Sequence, residues 1–90
     1  MARVFIPATL RARCDGRSEV EVEGTTLRQI VENLDAACPG IAARILEGDA
    51  VRPDLALAVN GVVGAEGLLE RVPDGAEIQI MPAIAGGGAG

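Results

Sequence analysis

Only one stretch of this chain carries a helical period long enough for a full helix, and it dictates how everything else can pack. Leu27, Ile30, Val31, Leu34 and Cys38 recur at helical spacing, while Arg28, Glu32 and Asp35 fall on other faces. Thr26 with Gln29 three residues on resembles a capping box, in which two side chains satisfy backbone N–H groups left without partners at a helix start. Pro39-Gly40 ends the segment. A single helix can cover the aliphatic side of only one sheet. The remaining apolar residues must therefore belong to strands that share one core.

The flanking patterns agree. Arg3 to Ala8 alternates Val4 and Ile6 against Arg3, Phe5 and Pro7, and reads as a first strand. Glu19-Val20-Glu21-Val22-Glu23 is a strict period-two segment with valines on one face and carboxylates on the other. Joined through a longer connection that includes the turn signal Asp15-Gly16, these two predict an antiparallel hairpin. Past the helix, Ile41 to Leu46 suits one or two further helical turns, ending in the polar loop Glu47-Gly48-Asp49. Leu55, Leu57 and Val59 share one face of a later strand, and Asn60-Gly61 signals a tight turn toward Val62-Val63. Glu66 to Leu69 suits a short helical turn. Pro73-Asp74-Gly75 marks another turn, and Ile78 and Ile80 mark the last strand before Pro82. The expected fold class is α+β: a mixed sheet of four to five strands with one main helix packed on one face. Its opposite face would carry Phe5, Ala56 and Ala58, a candidate docking surface.

Composition narrows the function. Nearly half of the 90 residues are hydrophobic, yet Phe5 is the only aromatic, so the core must be aliphatic. The net charge is −5 and all eight basic residues are arginines, scattered from Arg3 to Arg71. Nucleic-acid binding needs a concentrated basic face, which is missing. An acidic body suits a basic protein partner, and equally suits mere solubility. No apolar run approaches a membrane span, and Pro7 interrupts the apolar start at once. The expectation is a cytoplasmic protein with no membrane partner.

Catalytic chemistry is scarce. With no histidine and no lysine, only carboxylates and two thiols remain as general bases. Glu19, Glu21 and Glu23 read as a solvated strand face rather than an acid/base site. Asn60-Gly61-Val62-Val63-Gly64 lacks the spacing and following helix of a phosphate loop. Cys14 and Cys38 do not form C-x-x-C and have no histidine with which to bind zinc, so no metal site is expected. Cys38 reads as a small core residue and Cys14 as a turn thiol. A structural disulfide is not expected in a cytoplasmic protein. The chain reads as a non-enzyme.

The ending is Met81-Pro82-Ala83-Ile84-Ala85-Gly86-Gly87-Gly88-Ala89-Gly90. Glycine fits where no other residue can, so such an end can enter a narrow channel; a meaningless terminus would look the same. The order strand, strand, helix, strand, strand, with Ala58-Val59-Asn60-Gly61 in the middle, resembles the ThiS/MoaD family of ubiquitin-like sulfur carriers. So does Asp74-Gly75-Ala76-Glu77-Ile78 followed by Met81 to Gly87. Phe5-Ile6-Pro7-Ala8-Thr9-Leu10-Arg11 and Pro39-Gly40-Ile41 are similar to its CysO-type, cysteine-biosynthesis branch.

That resemblance implies a β-grasp domain over 1–85 and a flexible glycine-rich tail over 86–90, with no bound cofactor. A partner adenylating enzyme of the MoeB/ThiF type would use ATP to activate the terminal glycine carboxylate. A sulfur donor would then convert it to a thiocarboxylate. The acceptor would be a PLP-dependent cysteine synthase or another thiolating synthase, such as those of the molybdopterin and thiamine pathways. Gly86, Gly87 and Gly88 would lie in the enzyme channel, and Phe5, Pro82, Ala83, Ile84 and Ala85 would contact partners. The family ends at Gly-Gly, whereas Gly88-Ala89-Gly90 follows here. The resemblance then implies a reactive terminus at Gly87, after trimming by a JAMM-type metalloprotease, or at Gly90 untrimmed, or else a blocked tail that has lost sulfur transfer. The alternative is a β-grasp binding subunit that docks a partner without carrying sulfur.

Overall fold

The protein is described by a computed structural model covering residues 1–83. β1 (Ala2–Phe5) and β2 (Glu19–Val22) form the antiparallel hairpin that the alternation predicts, with Val4 opposite Val20 and Ala2 opposite Val22. β1 is shorter than the apolar pattern suggests. Ile6 still donates its N–H to Ser18 O at 2.8 Å, but Pro7 has no N–H to extend the ladder and the chain turns away. The connection contains a 3₁₀ helix, Ala8–Cys14, that the sequence did not announce. Such a segment lacks both the two-residue and the 3.6-residue period. It ends at Asp15, which takes a left-handed conformation (φ 56°).

α1 (Leu27–Ala37) buries Leu27, Ile30, Val31 and Leu34, the stripe the sequence marks. Thr26 is its N-cap, with its hydroxyl accepting from Gln29 N–H at 3.3 Å. The return half of the capping box is displaced by one residue: Gln29 Oε1 accepts from Thr25 N–H at 2.8 Å and from Thr25 Oγ1 at 3.0 Å. Thr26→Ala removes the cap acceptor, and an N-cap loss costs about 1 kcal/mol. In a domain of this size the melting temperature should fall by roughly 4–8 °C, read by circular dichroism. An unchanged Tm would show that Thr25 and Gln29 hold the helix start without Thr26.

Past Pro39-Gly40, Asp35 Oδ1 accepts from Gly40 N–H (3.1 Å) and Ala42 N–H (3.0 Å), fixing the entry to a single-turn helix, α2 (Ala42–Ile45). The segment read as a polar loop is a miniature hairpin, β3 (Leu46–Glu47) with β4 (Ala50–Val51) around Gly48-Asp49. β5 (Leu55–Val59) follows. Asn60 (φ 51°) and Gly61 (φ 84°) make a two-residue turn closed by reciprocal Val59–Val62 backbone bonds. Two successive positive φ angles are what the primed hairpin turns require, and the Asn-Gly pair supplies them. A second 3₁₀ turn (Gly67–Leu69) leads to β6 (Glu77–Pro82).

The main sheet has the order β2-β1-β6-β5. β6 lies in the middle, parallel to β1 and antiparallel to β5. One face packs on α1, forming a core of Val4, Ile6, Val20, Val22, Ile41, Ile45, Leu57, Ile78 and Ile80 with the helix stripe. Among the described residues no charged or polar side chain is buried.

The cysteines correct an expectation. Cys14 and Cys38 are both fully buried and form a disulfide, with Cα atoms 4.8 Å apart. Expecting none rested on compartment alone. The fold overrides it by seating the end of the first 3₁₀ helix against the C-terminal end of α1. Cross-linking residues 24 apart contributes about 3 kcal/mol in the chain-entropy account.

Candidate functional site at the root of the tail

The site is built by β6. Glu77–Pro82 runs through the centre of the sheet and delivers the chain at Pro82-Ala83. Asn60 N–H donates to Glu77 O (2.8 Å) and Ala83 N–H donates to Asp54 O (2.9 Å). These two bonds place the hydrogen-bonded ladder positions of β6 at odd-numbered residues. Pro82, opposite Leu55, falls between them, so its missing N–H removes no ladder bond. β1 pairs with β6 only as far as Phe5 opposite Gln79. Proline is thus tolerated in a central strand because it sits past the end of one neighbour and out of phase with the other.

Two surfaces border this exit. On the outer face, the registers place Phe5, Gln79 and Ala58 in one row and Met81 beside Ala56 in the next. Arg3, Glu21 and Glu77 form the row farther from the exit, and Arg3 Nε lies 3.6 Å from Glu19 Oε1. The face is therefore apolar near the tail and charged away from it. It is less open than expected: Phe5 and Ala56 are half-buried and Ala58 is fully buried. Glu19 and Glu21 are exposed, as a solvated strand face requires.

The second surface escaped sequence reasoning. A groove of about 720 Å³ opens beside β6, walled by Pro7 to Leu10 on one side and by Ala43, Arg44, Arg52, Asp54 and Leu55 on the other, with Ile80, Met81 and Pro82 along its length. Arg52 Nε lies 3.5 Å from Asp54 Oδ1, at the strand end that holds Ala83. Apart from Leu55, at the start of β5, the wall residues come from a 3₁₀ helix, a single-turn helix and connecting loops, where no apolar period marks them.

Of the residues singled out in the sequence, the structure brings Phe5, Pro82 and Ala83 to the same end of the sheet, with Pro82 exposed and Ala83 half-buried. Ile84, Ala85, Gly86, Gly87, Gly88 and Gly90 lie outside the described residues. No group of three or more acidic, histidine or cysteine side chains is placed to hold a metal among the described residues, and no described helix is long and apolar enough to cross a membrane.

Comparison with known proteins decides the family, because the ThiS family matches residues 4–87 of the chain. The chain belongs to the ThiS family. The sulfur carrier protein CysO of Mycobacterium tuberculosis is 33% identical over 90 residues, covering 93% of this chain and 96% of the relative. Small archaeal modifier protein 3 of Haloferax volcanii is 30% identical over 67 residues, covering 72% of this chain and 73% of that protein. Among solved structures, a chain of the Amycolatopsis orientalis BexX/CysO complex superposes with a TM-score of 0.89 at 29% identity, covering 93% of this chain and 97% of that one. M. tuberculosis CysO superposes with a TM-score of 0.87 at 27% identity, covering 93% of this chain and 100% of that one. This ThiS-family member thus has the ubiquitin-like β-grasp fold of the sulfur carriers, and its match ends at Gly87, three residues before the last residue of the sequence.

Proposed function

We propose that this protein is a sulfur carrier whose C-terminal glycine is the working group. The observation that carries this reading is the central strand β6, which runs to Pro82-Ala83 and continues in sequence as Ile84-Ala85-Gly86-Gly87 within a ThiS-family chain. An E1-like adenylating enzyme transfers AMP from ATP to the glycine carboxylate and releases pyrophosphate. A carboxylate is a poor electrophile, and the adenylate supplies a leaving group. A sulfur nucleophile then attacks the carbonyl carbon and AMP departs, leaving a thiocarboxylate. That sulfur is delivered to an acceptor enzyme, with a CysO-type cysteine synthase favoured by the 33% identity to CysO. The chain itself supplies presentation, not catalysis.

The body has a physical purpose in this scheme. Fixing five backbone residues in a channel costs on the order of 5–10 kcal/mol of conformational entropy. Contacts from Gly-Gly alone do not offset that. Phe5, Met81 and Pro82, at the tail end of the sheet, offer apolar area that does. Gly86, Gly87 and Gly88 are assigned to the channel, and Pro82 to Ala85 to its mouth.

Gly88-Ala89-Gly90 favours a second reading, a β-grasp subunit that docks without carrying sulfur. Intact-mass measurement separates the two. The protein is incubated with ATP, an adenylating enzyme of the family and a sulfide source. An oxygen-to-sulfur mass change on a chain ending at Gly87 establishes trimming, by a JAMM-type protease or its equivalent. The same change on the full chain establishes Gly90 as the terminus. No change on either form refutes the carrier.

A further inference from the structure

The first 3₁₀ helix, Ala8–Cys14, is the least anchored wall of the tail-root groove. It belongs to neither sheet, and its own hydrogen bonds are local: Leu10 N–H to Pro7 O (2.9 Å), Arg11 Nε to Ile6 O (2.9 Å) and Gly16 N–H to Arg11 O (2.7 Å). Ala8, Ala12 and Arg13 are exposed, and Leu10 is only partly buried against the core. What ties its far end to the helical layer is the bond from Cys14 to Cys38, with Arg13 laid over the next turn; its Nη1 lies 2.9 Å from where a Cβ on Gly40 would stand. The same segment supplies Ala8, Thr9 and Leu10 to the groove beside Met81 and Pro82.

We propose that Cys14–Cys38 is a redox clamp that sets the groove wall at the root of the tail. In the oxidised form the 3₁₀ helix is held against α1. In the reduced form the segment opens and the wall is lost, while the sheet and α1, which have their own ladders and core, stay folded. The co-reactant is a small-molecule thiol of the glutathione class. Its thiolate attacks one cysteine sulfur, the Cys14–Cys38 bond breaks, and the other sulfur leaves and takes up a proton. A second thiol resolves the mixed disulfide, so the protein gains two electrons and two protons and the thiol pair is oxidised to its own disulfide. Both sulfurs are fully buried, so attack waits on opening of the segment, which its exposed flanks allow. On the carrier reading of the protein, the clamp makes presentation of the tail depend on the thiol pool.

The test needs no adenylating enzyme, so its failure is distinct from failure of the carrier reading. Full-length protein is equilibrated in oxidised and reduced glutathione mixtures, and free thiols are counted after denaturation. Amide hydrogen exchange is then followed in the oxidised form, the reduced form and the Cys14→Ser/Cys38→Ser double variant. The expected result is a bond that opens at millimolar reduced glutathione. Exchange should rise by roughly tenfold or more across Leu10–Cys14 in both reduced and variant protein, to rates well above those of Leu57 and Ile80, which rise only as far as the lost cross-link lowers global stability. A bond that stays closed in that mixture, two free thiols in protein never exposed to reductant, or unchanged exchange at Leu10–Cys14 overturns the clamp. Leu10–Cys14 exchanging no faster than Leu57 and Ile80 after reduction also overturns it, because the disulfide is then a global staple alone. Should the double variant fail to fold, the exchange pattern of the reduced wild-type protein separates the same outcomes alone.

Discussion

Placing tryptophan at Gly86 should abolish ATP–pyrophosphate exchange by a family adenylating enzyme while leaving the melting temperature within about 1 °C. The reasoning separates two energies. Among the described residues the core ends at Ile80, six positions before Gly86, and glycine has no side chain for a substitution to remove. On the carrier reading, activation needs the backbone itself to reach the adenylating centre, and only glycine leaves room for a channel wall to press against the chain from both sides. A misplacement of about 1 Å at a reacting group already reduces rate by about a hundredfold, and an indole displaces the chain by far more. Activity should fall below detection. Exchange at the wild-type rate with tryptophan in place would show that the tail is not enclosed, and the binding-subunit reading would gain. Removing everything after Ile84 gives the matching control: complete loss of activation for a carrier, no loss of partner function for a docking subunit.

Leu34→Ala should produce the converse result, a collapse of stability with the tail untouched. Leu34 is 1% exposed and packs from the middle of α1 onto the sheet. Deleting three buried carbons from a close-packed interior removes their transfer energy and leaves a cavity that neighbours fill only in part, about 2–5 kcal/mol in all. A 90-residue domain holds about 4–13 kcal/mol in total. The variant should therefore lose roughly a sixth or more of its stability by urea denaturation, with an unchanged m-value. Glu32→Ala, two residues away, is the comparison. Glu32 is exposed and pairs only with Arg28 at 4.0 Å, so its loss should stay below about 0.5 kcal/mol. Equal effects at the two positions would mean that α1 does not pack as described.

Much of this architecture could be read from spacing alone. Leu27, Ile30, Val31 and Leu34 mark one helix face, and Val20 and Val22 mark one strand face, because burial imposes those periods directly. Asn60-Gly61 was legible for a different reason: two adjacent positive φ angles leave few residue choices. What stayed hidden is whatever lacks a period. Ala8–Cys14 is a 3₁₀ helix whose inward residues, Leu10 and Cys14, are too few to mark a period. The β3–β4 hairpin has only two residues per strand, too few for alternation to register. The pairing of Cys14 with Cys38 depends on how that 3₁₀ helix folds back, a tertiary fact, and compartment-based reasoning pointed the other way. The same gap explains the site. Strand alternation could place Phe5 on the outer sheet face and Pro82 at the end of the last strand, whereas the groove wall at Thr9, Arg44 and Arg52 is assembled from connections.

The position of β6 carries a mechanical consequence. Because it lies between β1 and β5 and its C-terminal end, Pro82-Ala83, precedes the tail in sequence, traction passed to that end acts along the strand. Hydrogen bonds on both flanks then bear the load together in shear, instead of parting one after another as they would at a peeled edge strand. On the carrier reading, an enzyme that draws the last glycines into its active centre can haul against this anchor without unravelling the domain that carries them.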